Sequence, residues 1–364
     1  MTTATSPASQ PLRVEMVLPS LVPAGMEVVT LNLAKALVRR GHDVGIICIE
    51  EEGSLADQAR AAGVEVRLIQ TPGLWPNVVP SVLAPALRQR DPDVVHIHSG
   101  AWLKAARAAR AVGVPRVVHT FHGLHERDRF RIRLVMRAGA RLTDWVVAVS
   151  DPLRGYLIDR LGLPEHKTLT VLNGVDTERF APGHGTSAFR QEIQAGNRLL
   201  LGMVARFDPV KDHASLVEAF AQVRRNREDV ALVLIGDGPE REIIRELVAH
   251  LGLTHDVLFA GDRTDMPEVY RALDVFVLSS HAEGTSMSIL EAMASGLPIV
   301  ATDVGGTPHL LGPGPVGRFA GGVPVKRSRA TRDVSSSRSP MRSPVRRPHP
   351  VPWPIRRRCR PRSR

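Results

Sequence analysis

From Leu12 to Val300 the sequence keeps returning to one pattern: a short apolar, β-branched run, a polar or glycine-bearing end, then a longer stretch with helical apolar spacing. The first unit is Leu12 to Leu18, a helix from Val28 to Arg40 stopped by Gly41, and the strand DVGIICI. Strand, helix, strand in that order is a βαβ unit, whose right-handed crossover leaves its strands parallel. Helices over Ser54 to Ala62, Val82 to Arg90 and Trp102 to Val112 lead into VEVRLI, DVVHIHS and RVVHTFHG, and a basic stretch, Arg127 to Arg141, leads into DWVVAVS. A chain written this way has little choice: a parallel sheet covered by helices, with ligands at the carboxyl edge where every strand ends.

The pattern breaks at VLNGVD and a Pro- and Gly-bearing loop, then restarts at LLLGMVAR. Strands VALVLIGD, VLFAG, DVFVLSS and PIVATD follow, with helices over Ala214 to Arg225, Glu240 to Leu251 and Met266 to Ala272 between them. The fold class expected is α/β, two Rossmann-like doubly wound domains facing a cleft, one over residues 12–172 and an incomplete one over 173–311. Residues 1–11 read as a disordered start with neither the basic nor the apolar part of a signal peptide, and 312–364 as a disordered tail. At 364 residues and 43% hydrophobic the chain has core enough for two domains. Its two cysteines, Cys48 and Cys359, make no disulfide framework and fit a reducing compartment.

The net charge of +11 invites a nucleic-acid reading, but 14 of the 48 Lys and Arg and one of the 37 acids fall in residues 321–364. The remainder holds 34 basic against 36 acidic residues and is nearly neutral. The charge belongs to the tail, so nucleic acid is not the expected partner of the fold.

Chemistry concentrates in EGTSMSILEAMASGLPIV, Glu283 to Val300. A strand runs into a small-residue loop and then a helix that Gly296 and Pro298 must end. Glu283 sits in the loop, Glu291 eight residues on inside the helix, and Gly284, Thr285, Ser286 and Met287 offer backbone N–H groups at the positive end of the helix. The second sheet adds Arg206 at the end of its first strand and Lys211 five residues later, a planar fork and a point charge suited to a diphosphate. In the first sheet Gly25 lies in the opening turn, and His96, His98, His119 and His122 fall at strand ends. His119, His122 and His125 imitate metal spacing without HExxH helix geometry, and Asp91-Pro92-Asp93 imitates DxD but precedes its strand, so a turn is expected there and no metal.

Taken together and in order, these motifs resemble the retaining GT-B glycosyltransferases of family 4, also called group 1. The resemblance spans about residues 12 to 311 and rests on VPAGMEVVTLNLAKALVRRGHDV, DVVHIHS, HTFHG, VAVS, VLNGVDTERF and EGTSMSILEAMASGLPIVATDVGG. It implies Glu283 on the hydroxyls of the transferred sugar and Glu291 on the nucleotide ribose. Arg206, Lys211 and the amides after Glu283 are implied on the diphosphate, His122 beside the transferred sugar, and Gly25 bringing backbone toward donor phosphate and acceptor. His122 and Glu283 are then the catalytic candidates, with no cofactor and no metal.

The implied partners are a UDP- or GDP-sugar and a glycan or lipid-linked acceptor, and the setting polysaccharide or glycolipid biosynthesis. The basic helix adds peripheral contact with an anionic membrane, and the expected location is cytoplasmic, at the inner membrane face. A sugar-nucleotide 2-epimerase of the same fold and a non-catalytic nucleotide- or nucleic-acid-binding protein are the alternatives.

Two departures stand out. Ala24-Gly25 occupies the place of the family's usual Gly-Gly, and after Leu311 the chain turns to Arg, Pro and Ser instead of a further strand and closing helices. Out-of-frame translation after about residue 312 is the expected origin of that tail, ahead of a genuine basic arm. On either origin the second domain is expected to lack an edge strand and its closing helix, and with them some stability.

Overall fold

Strands form where the β-branched runs fall. The computed structural model describes residues 10–71, 82–123, 130–183, 188–312, 316–318 and 324–328. In the first half these are β1 (Arg13–Leu18), β2 (Asp43–Cys48), β3 (Glu65–Leu68), β4 (Val94–His98), β5 (Arg116–Phe121), β6 (Trp145–Ala148) and β7 (Thr168–Thr170). They form one parallel sheet in the order β3-β2-β1-β4-β5-β6-β7. Helices α1 (Gly25–Arg39), α2 (Ala56–Ala61), α3 (Leu83–Arg90), α4 (Trp102–Ala111), α5 (Phe130–Arg141) and α6 (Asp151–Asp159) make the crossovers. Side chains alternate across the strands, so Val17 and Ile47 join one apolar core while Met16 and Ile46 join another. Two cores on one sheet are what double winding requires.

Helix α6 was not part of the sequence expectation. Ser150 caps it by accepting a hydrogen bond from the N–H of Leu153, and Pro152 lies in its first turn, where the missing N–H costs nothing. Asp91 and Asp93 make the expected turn: Asp91 ends α3 in a left-handed conformation, and Asp93 accepts from the Arg13 amide at 2.8 Å. Glu15 of β1 is fully buried, with its carboxylate 3.0 Å from Arg67 and 2.8 Å from Arg90. Gly45 pairs with Glu15 in register, and a Cβ there would come within 2.7 Å of that carboxylate. The glycine makes the room in which the buried ion pair sits.

The second half repeats the plan with β8 (Leu199–Val204), β9 (Val230–Ile235), β10 (Val257–Gly261), β11 (Val275–Leu278) and β12 (Ile299–Thr302), all parallel. Its helices are α7 (Ala188–Glu192), α8 (His213–Asn226), α9 (Arg241–His250), α10 (Met266–Ala272), α11 (Met287–Ala294) and α12 (Thr307–Leu311). The two sheets pack within one compact unit.

The expectation that no strand follows residue 312 is corrected. Strands β13 (Val316–Arg318) and β14 (Pro324–Ser328) pair antiparallel with each other, and β14 pairs antiparallel with β12, giving the order β10-β9-β8-β11-β12-β14-β13. The edge of β12 presents a row of backbone groups that any short extended segment satisfies, so the missing edge strand is supplied from the tail itself. Among the described residues no helix follows α12. Of the disorder expected over residues 1–11 and 312–364, residues 1–9, 313–315, 319–323 and 329–364 lie outside the described residues.

Candidate active site

Three lengths of main chain meet where the two sheets face each other. Glu283 and Gly284 follow β11, and a Cβ on Gly284 would lie 2.4 Å from the carbonyl oxygen of His122, just past β5. Gly305 and Gly306, after β12, press on the same loop: an added Cβ would come within 1.8 Å of the Glu283 oxygen at 305 and 1.9 Å of the Gly284 oxygen at 306. Gly305 also has a φ of +52°, a conformation that side chains rarely adopt. The Gly306 amide donates to the Glu283 carbonyl at 3.3 Å. Backbone touches backbone here, and only glycine permits it. Thr285 locks the contact by donating from Oγ1 to the carbonyl of Val149 after β6, and Asn173 donates from Nδ2 to the carbonyl of Thr285 at 3.3 Å.

This arrangement brings together His122 and the Glu283 to Met287 loop, which the sequence placed on separate domains. Glu283 is 7% exposed; its Oε1 accepts from Lys211 Nζ and from Ser280 Oγ, both at 2.7 Å. Lys211 ends a 3-10 turn, Pro209–Lys211, and is itself 25% exposed. Ser286 caps α11 by accepting from the amide of Ile289, and Met287 begins the helix. Glu291 lies one turn in, 9% exposed, with Oε2 accepting from the hydroxyl of the fully buried Tyr270 at 2.8 Å. Burial pushes the Glu291 carboxyl up to about 7, against the opposing effects of the Tyr270 hydroxyl and the Arg179 charge.

Arg206 stands apart from that cluster, 54% exposed, with Nε 3.4 Å from Asp208. Its charge reaches Glu27 in the first turn of α1, a carboxyl that burial raises while its own backbone N–H and Arg206 lower it. Gly25 begins α1 with open space around it, so no packing inside the protein demands glycine there.

The histidines divide. His119 is stacked on Trp102 at 4.2 Å and is part of the core, while His122 is half-buried with Nε2 2.9 Å from Nδ1 of His98. Burial lowers the pKa of His122 to about 4, so its ring is neutral at ordinary pH. His125 lies outside the described residues, as do residues 127–129 at the start of the basic stretch. Ser280, Tyr270, Asn173 and the Gly305-Gly306 pair were assigned no role from sequence, because each acts through a contact that only folding creates.

Chemically the site offers a carboxylate held by a cation, a carboxylate held by a phenol, a neutral imidazole, free helix N-terminal amides and two cations. The chemistry of that set suits hydroxyls and phosphate oxygens. Among the described residues no helix is long and apolar enough to cross a membrane.

Residues 23–179 match the model of the family described as Glycosyltransferase Family 4, and residues 186–323 that of Glycosyl transferases group 1. The Escherichia coli UDP-Gal:alpha-D-GlcNAc-diphosphoundecaprenol alpha-1,3-galactosyltransferase is 30% identical over 310 residues, 79% of this chain and 78% of the relative. The Mycobacterium tuberculosis GDP-mannose-dependent alpha-(1-6)-phosphatidylinositol monomannoside mannosyltransferase is 30% identical over 305 residues, 79% of each chain. The structure of Anabaena HepE, solved in complex with UDP and glucose, superposes with a TM-score of 0.71 at 23% identity and covers 83% of this chain and 84% of that one.

Proposed function

Since this chain belongs to the GT-B glycosyltransferases of family 4, the group 1 enzymes, we propose that it moves a sugar from a UDP- or GDP-sugar to an acceptor hydroxyl with retention at the anomeric carbon. The observation that carries this reading is the main-chain contact between Gly284 and His122. It brings the loop that carries Glu283, itself paired with Lys211, against the main chain of His122, so segments from both sheets border one place for a ligand.

Glu283 then accepts from hydroxyls of the transferred sugar and Glu291 from the ribose. Lys211, Arg206 and the amides at the start of α11 hold the diphosphate. As the glycosidic bond breaks, charge grows on the leaving diphosphate, so fixed cations and N–H groups aimed at it stabilise the transition state more than the ground state. This electrostatic role requires no metal. Attack comes from the same face through an oxocarbenium-like state, and a leaving phosphate oxygen takes the acceptor proton. No covalent glycosyl-enzyme forms.

The acceptor is a glycan or lipid-linked hydroxyl of polysaccharide or glycolipid biosynthesis, approached from the side of residues 12–172, while 173–311 hold the nucleotide. Helix α5 supports contact with the inner face of an anionic membrane, because it is rich in Arg and leaves Leu134 and Val135 about half exposed. Purified protein that ignores anionic vesicles at low salt would count against that contact.

The central test is a thermal-shift screen of UDP-, GDP- and ADP-sugars followed by turnover with the stabilising nucleotide sugar and an acceptor, with the product's anomeric configuration read by NMR. Retention in a new glycoside is expected. An inverted product, or a sugar converted without any acceptor as a 2-epimerase would do, would refute the proposal.

A further inference from the structure

His98 ends β4 and is 1% exposed, and its ring meets that of His122 just past the neighbouring strand β5, with Nδ1 of His98 2.9 Å from Nε2 of His122. A neutral imidazole carries one N–H and one bare nitrogen, so in this pair one ring donates and the other accepts. Both rings are neutral: burial lowers His98 well below the usual histidine range, with the charges of His96, His122 and His119 adding to the effect. Two arrangements remain, and the surroundings of the far nitrogens separate them.

If His122 donated from Nε2, the single proton of His98 would sit on its own Nε2. That nitrogen is completely enclosed and has no hydrogen-bonding partner among the described residues. An enclosed N–H without an acceptor is the rarer kind of unsatisfied group, whereas a bare nitrogen there places no proton against apolar packing. The proton of His98 therefore belongs on Nδ1, pointing at His122. His122 must then accept at Nε2 and carry its own proton on Nδ1. The ring of His122 is half-buried, and Nδ1 has no partner among the described residues, so this is the nitrogen left for a ligand.

We propose that His98 is a positioning residue that sets the tautomer of His122: it donates from Nδ1 to Nε2 of His122 and so presents a fixed, uncharged Nδ1–H to the transferred sugar. The tautomer of a histidine follows from the bond its other nitrogen makes, and here that bond comes from a second histidine. The consequence for chemistry is that His122 acts as a hydrogen-bond donor to a sugar oxygen and takes up no proton itself. This deepens the proposed function and rests on its reading of His122 as a sugar contact.

The test is a two-bond proton-nitrogen NMR correlation on the full chain labelled with nitrogen-15 histidine, with the His122 and His98 signals identified by their loss in His122→Gln and His98→Asn. Both residues are expected to show the Nδ1-protonated pattern. An Nε2-protonated His122, or an average of the two forms, would overturn the proposal; the tautomer itself is read in the parent chain, and the two variants serve only to identify its signals. In His98→Leu the directing bond is gone, so His122 should drift toward the mixed pattern, and kcat should fall about tenfold with KM for the nucleotide sugar little changed, the effect of one misdirected hydrogen bond. His98→Asn puts an amide N–H near the position of Nδ1–H and should restore both the pattern and most of kcat. A His122 that keeps the Nδ1-protonated pattern in His98→Leu would sink the proposal. Full turnover in His122→Gln would instead overturn the sugar-contact reading beneath it, and the spectra alone would then decide the bond between the two rings.

Discussion

Glu291 should make the free protein less stable, and replacing it by glutamine should show how much. The carboxyl is 9% exposed and burial raises it from 4.5 to about 7. A raised carboxyl pKa means that stability is fully present below the unfolded value of 4.5 and is lost as pH rises through about 7. The shift corresponds to about 3 kcal/mol once both states are ionised. Glutamine has the same shape, carries no charge and can still accept from Tyr270. Glu291→Gln should therefore be more stable than the parent by about 1 kcal/mol at pH 5 and about 3 kcal/mol at pH 8. Urea unfolding of both proteins at the two pH values measures this, and every other titrating group cancels in the comparison. The same substitution should weaken nucleotide-sugar binding roughly 10- to 100-fold, because a charged acceptor of ribose hydroxyls is lost. A stability gap that does not widen between pH 5 and pH 8 would refute the reasoning, whatever happens to binding.

Gly284→Ala places a methyl group 2.4 Å from the His122 carbonyl; circular dichroism should stay native while kcat/KM falls at least 100-fold, since even a 1 Å displacement of reacting groups is that costly. Arg90→Met leaves the buried Glu15 carboxylate with Arg67 alone, and denaturant unfolding should show a loss of about 3–5 kcal/mol; a change under 1 kcal/mol would mean the pair is not carrying the buried charge. Burial lowers His96, His122 and His213 to about 4 and holds His98 and His119 well below the usual histidine range. The unfolded chain takes up these protons near 6.5 while the folded chain does not, so the unfolding free energy from urea titrations should fall steadily from pH 6.5 toward pH 4, by up to about 1.4 kcal/mol per pH unit for each histidine.

Much of this was legible before any coordinates. The β-branched runs and their glycine-bearing ends gave both sheets, because parallel strands buried on both faces leave a continuous apolar signature. Helix α6 escaped notice although Ser150 and Pro152 mark its start, since nine residues hold too little apolar spacing to stand out. The β13 and β14 hairpin escaped for a different reason: its strands are defined by the open edge of β12 and not by their own composition. In the site, Glu283, Glu291 and Lys211 were visible by spacing and placement at strand ends. Tyr270 and Ser280 were not, nor was the pairing of His98 with His122, because a carboxylate's partner 21 residues away or an imidazole's partner just past the next strand leaves no mark in local sequence.

The hairpin also bears on how this protein behaves in concentrated solution. A chain cut at Leu311 would leave the backbone of β12 open along four residues, Ile299–Thr302, and an open parallel edge recruits the matching edge of another molecule. With the hairpin in place the outermost strand is β13, only three residues long, which is too short to seed such growth. The shortest chain that should remain monodisperse therefore ends beyond Ser328, and material shortened to the last helix should polymerise edge to edge.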